Sequence, residues 1–583
     1  MPTLEWIGKD KVINHHLDVP YRVLERKYSY DEAGQHDEDN GSENMIIHGD
    51  NLDALKSLLP RYEGRVKCIY IDPPYNTGNE KWVYNDNVND PRILKWLGQV
   101  VGAEGEDLSR HDKWLCMMYP RLKLLQRLLS DDGVIFISID DVECANLKLI
   151  CDEIFGSNCF VSNISWQRTY STRNDSKGIV NEVEHVICYS KKPDWQPKKL
   201  PRTDEMDSKY KNPDNDVASW RMSDAFAPGA ATHQGMVYAI QHPFTGKMLY
   251  PYNGSCWRYQ QDTMLEIMNG WTQYELRDLD DAEERAKICG VSVAEVREGV
   301  RAIVLSKPLV EAASDAKKVM ERGQWPRFFF TKGGKGGIAR KTYLENVGGK
   351  LPTNFWPYLD AGHTDEAKKE LLAIFSGKTT FDTPKPSRLI EFILRIAANS
   401  DAIILDSFAG SGTTAHAVLN MNKADGGHRR FILVEMMDYA DSITAERVKR
   451  VIGGYGSGRQ AVEGTGGGFS YYELGEPLML GDVLNESVGV DKIREYVYFT
   501  DTKSRLPEAH ADEPYYLGLH VNNAYYFYYE RDAVTTLNRE FLHTIQTRAD
   551  AYVIYADLCT LSEEELERYH ITFKKIPRDI TKL

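Results

Sequence analysis

The chain has no apolar run long enough to cross a bilayer as a helix, so a helical membrane span is excluded. The segment from Met1 to Val12 lacks a basic region followed by an apolar stretch, so export is not expected and a cytoplasmic setting is. Nine cysteines are scattered with no CxxC pair and no metal-ligand spacing, which predicts reduced thiols and no metal site. Positive charge is also short, the formal net charge being −15. That total argues mildly against a nucleic-acid partner, but binding depends on local patches. The acids gather at Asp31, Glu32, Asp37, Glu38, Asp39 and Glu43, and again from Glu563 to Glu567, places a duplex need not touch. No helicase or nuclease motif is found.

What is present is a globular composition, 42% hydrophobic and 27% charged over 583 residues, which is enough chain for about three domains. Its centre is Asp72-Pro73-Pro74-Tyr75-Asn76-Thr77-Gly78, directly after the apolar run Val66 to Ile71. The run predicts a buried parallel strand, and two prolines force a stiff, extended exit from it. A carboxylate, a rigid carbonyl and an aromatic face are thereby presented where open α/β sheets bind ligands. Methylation of a nucleobase amino group suits this set. Asp72 and the Pro73 carbonyl would accept the two N–H bonds of an exocyclic nitrogen, freeing its lone pair for attack. Tyr75 would stack on the extruded base.

Around this stretch the pattern is strand then helix. Met45 to His48 predicts a strand ending at Gly49-Asp50-Asn51, followed by leucines at helical spacing. Asp50 is therefore either a helix N-cap or an acceptor for a cofactor's amino group at the same sheet edge as Asp72. A long loop carrying Lys81, Trp82, Tyr84 and Asp86 runs to about Ser109. Helix Trp114–Leu129, strand Val134–Ile139, helix Glu143–Ile154 and strand Glu184–Tyr189 follow. The alternation predicts an α/β fold with a doubly wound, mainly parallel Rossmann-like sheet. It pauses over residues 193–380, where Arg327, Lys332, Lys335, Arg340 and Lys341 lie beside Phe328, Phe329, Phe330, Tyr343 and four glycines. Lys332, Lys335, Arg340 and Lys341 are candidate DNA contacts, and the aromatics suit base stacking.

The α/β pattern resumes at Thr383-Pro384-Lys385-Pro386. A strand ends in Asp406-Ser407-Phe408-Ala409-Gly410-Ser411-Gly412-Thr413-Thr414, a glycine turn that is not a P-loop because no lysine follows its last glycine. The next strand ends in Glu435, placed to accept from ribose hydroxyls. Expected boundaries are a lead-in over 1–44, whose acidic segment Asp31 to Asn44 is expected to be a flexible surface stretch, a catalytic half over 45–192, an inserted domain over 193–380, a cofactor half over 381–466, and a small C-terminal α/β domain over 467–583.

The order of these motifs, catalytic first, then a long variable region, then the glycine turn, resembles the β class of amino-methylating DNA methyltransferases. Within that class it is similar to the Mod subunits of type III restriction–modification systems. The stretches that carry the resemblance are Gly49 to Leu52, Asp72 to Gly78, Asp132 to Asp140, Asn181 to Lys191, Thr383 to Pro386, Asp406 to Thr414 and Arg429 to Glu435. The resemblance implies a circularly permuted motif order, a target-recognition domain over 193–380, and S-adenosylmethionine held by Phe408, Ala409, Gly410, Ser411, Gly412, Thr413 and Thr414. Asp406 and Ser411 would lie near its methionine part, Glu435 at the ribose and Asp50 at the adenine. Asp72, Pro73, Pro74 and Tyr75 would hold the flipped base, with Asp at the first position favouring adenine N6 over cytosine N4. Double-stranded DNA, a homodimer and a separate helicase–nuclease subunit are the implied partners. Methylation of cytosine N4 remains open. So does a DNA-specificity role for a separate nuclease, although intact Asp72 and Gly410 to Gly412 argue against a non-catalytic subunit. Methylation of protein glutamine or RNA is disfavoured by the long central region.

Overall fold

The continuous apolar runs become buried strands, and the leucine-spaced segments between them become the covering helices. In the computed structural model, described over residues 3–77, 91–102, 109–171, 179–507 and 512–578, eleven strands among these residues share one sheet. They are β1 (Arg22–Asp31), β2 (Gly34–His36), β3 (Met45–His48), β4 (Val66–Ile71), β5 (Leu129–Ile139), β6 (Phe160–Gln167), β7 (Val183–Ser190), β8 (Phe355–Trp356), β9 (Ile403–Asp406), β10 (Arg430–Glu435) and β11 (Gly468–Pro477). Across the sheet they run β8-β6-β7-β5-β4-β9-β10-β3-β11-β1-β2. From β5 through β4, β9, β10 and β3 to β11 every pairing is parallel. The pairings of β7 with β5 and β6, and of β1 with β11 and β2, are antiparallel. The doubly wound, mainly parallel expectation holds, with antiparallel flanks.

β3 and β4 are joined by helix α1 (Asn51–Tyr62), yet they are not neighbours, because β9 and β10 lie between them. Helices α2 (Arg110–Leu128), α3 (Asp141–Phe155), α4 (Ser387–Ala397), α5 (Thr413–Asp425) and α6 (Glu446–Gly453) complete the layers that position the site. α2 begins at a reciprocal cap, Ser109 accepting from the Asp112 backbone and Asp112 from Ser109, and Trp114, Leu115, Met118, Leu122 and Leu125 are buried.

Residues 1–44 are not a lead-in. β1 pairs with β11 and β2 in the central sheet, with Tyr28 stacked on Tyr471 at 5.0 Å. Its outer face carries Glu25 and Lys27, as befits a strand near a sheet edge, and that charge disguised it as linker. Likewise Gly468–Pro477 belongs to the central sheet rather than to the C-terminal domain. Beyond it, strands Tyr516–His520, Asn523–Phe527, Ala551–Ala556 and Ile571–Lys575 form a four-stranded sheet of their own. The expected loop after Thr77 contains the helix Pro91–Val100. Gly78, Lys81, Trp82, Tyr84 and Asp86 lie outside the described residues.

The chain divides into two units, Met1–Lys198 with Pro352–Leu583, and Lys199–Leu351. The inserted unit is thus shorter than 193–380. Residues 364–374 form a helix of the larger unit, whose Glu370 accepts from Ser387 Oγ at 2.5 Å. A lapse in strand–helix alternation marked the insertion too generously. Within the smaller unit, Phe328–Phe330, Ile338–Tyr343 and Trp220–Asp224 form an antiparallel sheet, and Phe328, Phe329 and Phe330 are buried against Trp220, Trp257 and Trp271. Those phenylalanines are core, not stacking surfaces.

Candidate active site

β4 is buried along its length, and Pro73 and Pro74 end it. Trp114 Nε1 donates to the Pro74 carbonyl at 2.6 Å, fixing the turn. Asn76 then takes φ 59°, a left-handed conformation asparagine tolerates, and its amide donates to Glu143. Asp72 is delivered into a buried cluster. Lys385 Nζ donates to its two carboxylate oxygens at 2.8 and 2.7 Å, and the Tyr75 hydroxyl lies 2.6 Å from Oδ1. That hydroxyl is also 2.6 Å from Glu184 Oε1 and 2.7 Å from Lys385 Nζ. Glu184 pairs with Lys385 at 3.2 Å and with Arg168 at 3.7 Å. Burial, reinforced by Glu184, raises the Asp72 carboxyl above its ordinary value, while Lys385 opposes the shift. Against the same burial, Asp72 and Glu184 hold the Lys385 ammonium above its usual value. The ring of Tyr75 carries Lys385 Nζ at 4.9 Å from its centroid, so the face expected to receive a base here faces an ammonium.

The glycine turn after β9 is held on both sides. Asp406 accepts from the Phe408 amide at 3.0 Å and from Thr414 Oγ1 at 2.5 Å, and burial pushes its carboxyl up to about 7. Glu435, 1% exposed, accepts from the Gly410 amide at 2.8 Å and the Met437 amide at 3.0 Å, one on each oxygen. Gly412 has φ +81°, and a Cβ there would stand 3.0 Å from the Thr444 carbonyl oxygen, which explains glycine at this turn. Ser411 Oγ and Thr413 Oγ1 each accept from the buried Arg447, at 2.9 and 2.7 Å. Phe408, Ala409 and Thr414 are buried in the same turn. Asp50 caps α1, accepting from the Leu52 amide at 2.8 Å, and its half-buried carboxylate is 3.5 Å from Arg121. It is an N-cap whatever else it binds.

Asp72 and Asp50 follow β4 and β3, and Asp406 and Glu435 end β9 and β10; the four strands are parallel neighbours in the order β4-β9-β10-β3, so the acids stand in the order Asp72, Asp406, Glu435, Asp50 along one sheet edge. One cleft, lined among others by Asp72, Phe381, Lys385, Asp406, Phe408 and Ser411, joins the first two. The donor set fits a nucleoside carrying an amino acid: carboxylates for cationic and hydroxyl groups and a glycine turn for close approach. Among the described residues no cluster of three or more metal-ligating side chains occurs.

Comparison with known proteins gives a family model for DNA methylase that matches residues 66–498. The chain belongs to the DNA methylase family. The chain is 32% identical over 501 residues to the Mod subunit of the type III restriction–modification enzyme StyLTI of Salmonella typhimurium, covering 81% of this chain and 66% of that one. It is 28% identical over 466 residues to the EcoPI Mod subunit of Escherichia phage P1, covering 74% of this chain and 63% of that one. The chain therefore spans slightly less than two thirds of the length of these relatives. Among solved structures, the cytosine-N4-specific PvuII DNA methyltransferase is 13% identical with a TM-score of 0.31, covering 70% of this methylase and 86% of that chain.

In the inserted unit, Lys332 and Lys335 are exposed and Arg340 is half-buried. Lys341 is not a surface cation. Its ammonium is buried between Asp214 at 2.5 Å and Asp216 at 2.6 Å, because the alternation of Ile338–Tyr343 turns it inward. Burial lowers the Arg340 pKa, and nearby Arg258 and Arg327 lower it further. Arg258 is exposed and lies about eighty positions earlier in the chain, too far away for sequence reading to group it with the others. Arg447, Glu370 and Trp114 were likewise missed. Lys385 and Glu184 sat inside motif stretches without an assigned role.

Proposed function

We propose that this methylase transfers a methyl group from S-adenosylmethionine to N6 of a flipped adenine in duplex DNA, as the modification subunit of a type III-like system. The observation that carries this reading is the order of the four acids. Three strand spacings, about 14 Å, separate the first from the last. The roles assigned to them, target amino group, methionine part, ribose and adenine, follow the order of those groups along a base and an extended cofactor. The cofactor, when bound, supplies a methyl group on a cationic sulfur that a neutral nitrogen can attack directly. Asp72 and the Pro73 carbonyl accept the N–H bonds of that nitrogen, and Tyr75 stacks on the base. Asp406 and Ser411 bind the methionine part, Gly410 and Gly412 admit it, Glu435 holds the ribose, and Asp50 receives the adenine amino group.

Residues 199–351 serve as the target-recognition domain. Arg258, Arg327 and Arg340, with Lys332 and Lys335, make the phosphate contacts there, since grouped guanidinium groups at a surface suit an anionic backbone. Relatives named as Mod subunits support the type III reading and a separate restriction subunit as partner; a homodimer in which one subunit reads while the other modifies is part of the same proposal and rests on the sequence resemblance alone. Expression in a methylation-deficient host, followed by single-molecule sequencing, tests the reaction. N6-methyladenine at one sequence is expected. N4-methylcytosine, or no modified base, overturns the adenine assignment.

A further inference from the structure

Lys385 ties together Asp72, Tyr75 and Glu184 in the catalytic cluster, and the functional reading leaves it without a task. Its side chain is bound to Asp72, Glu184 and Tyr75, while its carbonyl accepts from Thr413 Oγ1 at 3.2 Å. Its side chain thus reaches the residue after β4, 313 positions away in sequence, while its backbone touches the glycine turn. Proline on each side, Pro384 and Pro386, restricts the backbone that carries it.

The charge arithmetic of the cluster depends on it. Asp72 and Glu184 are two carboxylates that both address one phenol hydroxyl, which has a single proton to offer. The titratable and charged groups facing Asp72, among the described residues, are Tyr70 on β4, Tyr75, Lys385, Glu184 on β7 and Asp406 at the end of β9. Arg168, just after β6, touches Glu184 at 3.7 Å. Lys385 is the only one of these cations in contact with Asp72. Two carboxylates that share a buried site without a cation between them do not both ionise. A protonated Asp72 carries a donor on one oxygen and is a weaker, uncharged acceptor for the amino group's N–H.

We propose that Lys385 is a positioning residue for methyl transfer, its ammonium keeping Asp72 ionised and turned toward the target amino group while Glu184 and Tyr75 hold that ammonium in place. The inference rests on the reaction assigned above.

The test is single-turnover methyl transfer from pH 6 to 10 on full-length protein, with cofactor affinity measured by calorimetry. K385M should fall at least tenfold at pH 7 and recover toward pH 9, its acid limb displaced upward by a unit or more. Cofactor affinity should stay within a few-fold. E184Q in the K385M background removes the competing anion and should return the acid limb toward its original place. E184Q alone, which keeps the cation, should move that limb downward and serves if K385M does not fold. A K385M rate reduced equally at every pH, no rescue by E184Q, or a K385M enzyme faster than the parent each overturns the proposal. A parent protein that methylates no DNA overturns the functional reading instead.

Discussion

At the edge of the central sheet, Asp72, Asp406 and Glu435 are buried, and each carboxylate is tied to neighbours within 3.0 Å. In the inserted unit, Arg258, Arg327, Lys332 and Lys335 are exposed. The first arrangement suits chemistry on one atom, where fixed groups in a dry site act strongly on developing charge. The second suits a long polyanion, where many solvated cations each contribute a little and salt screens them all. A buried cation means something different in each unit. Lys385 contacts Asp72, the acid proposed for the chemistry, whereas Lys341, also buried, only neutralises Asp214 and Asp216 inside a core.

The sharpest way to break this contrast is Asp72→Ala. Methyl transfer should fall by ~10²–10³, the loss typical of one fixed transition-state partner, with cofactor affinity changed only a few-fold. Near-normal turnover would remove Asp72 from the chemistry. Next comes Lys341→Ala, which leaves two carboxylates without their cation and should cost about 3–5 kcal/mol in denaturant unfolding of the inserted unit. A loss confined to DNA binding would mean that Lys341 reaches the surface after all.

Gly412→Val should reduce cofactor affinity at least tenfold in calorimetry, because a β-branched residue opposes φ +81° and its Cβ meets the Thr444 carbonyl at 3.0 Å. Unchanged affinity would make the turn a mere connection. A smaller effect is expected from pH. Asp406 titrates at about 7, raised by burial, so its contribution to the stability of the free protein is complete below the ordinary carboxyl value and is lost as pH rises through 7. Its ionised form is the better acceptor for a cationic methionine part. Cofactor affinity should therefore rise several-fold across pH 6–8, and Asp406→Asn should flatten that rise. The smallest change is in the inserted unit, where Arg258→Ala or Lys335→Ala should lower the salt slope of duplex binding by about one unit each. Affinity unchanged at every salt concentration would move the duplex elsewhere.

How far these features could be seen beforehand follows the same division. Asp72, Asp406, Glu435 and Asp50 were legible because each ends an apolar run, and the parallel sheet converts strand ends into a shared edge. The strand order that lines them up was not, since no local pattern says that residues 403–435 enter between residues 48 and 66. β1 was missed because a strand with one wet face carries charge. Arg258 was missed because only the tertiary fold brings it to Arg327 and Arg340. Lys341 was misjudged because period-two alternation in a short strand decides which way a lysine points, and the glycines before it suggested a loop.

The placement of β9 and β10 between β4 and β3 also dictates when this protein can fold. A ribosome finishes β4 at residue 71 and does not begin β9 until residue 403. At ~5–20 residues per second the nascent chain waits on the order of 20–60 s with the middle of its sheet missing. β3 waits longer still, because both of its partners, β10 and β11, are synthesised after it. Two apolar strands thus stay unpaired on their inner edges throughout synthesis of the inserted unit, and a chain released before residue 430 lacks the strand that joins β9 to β3.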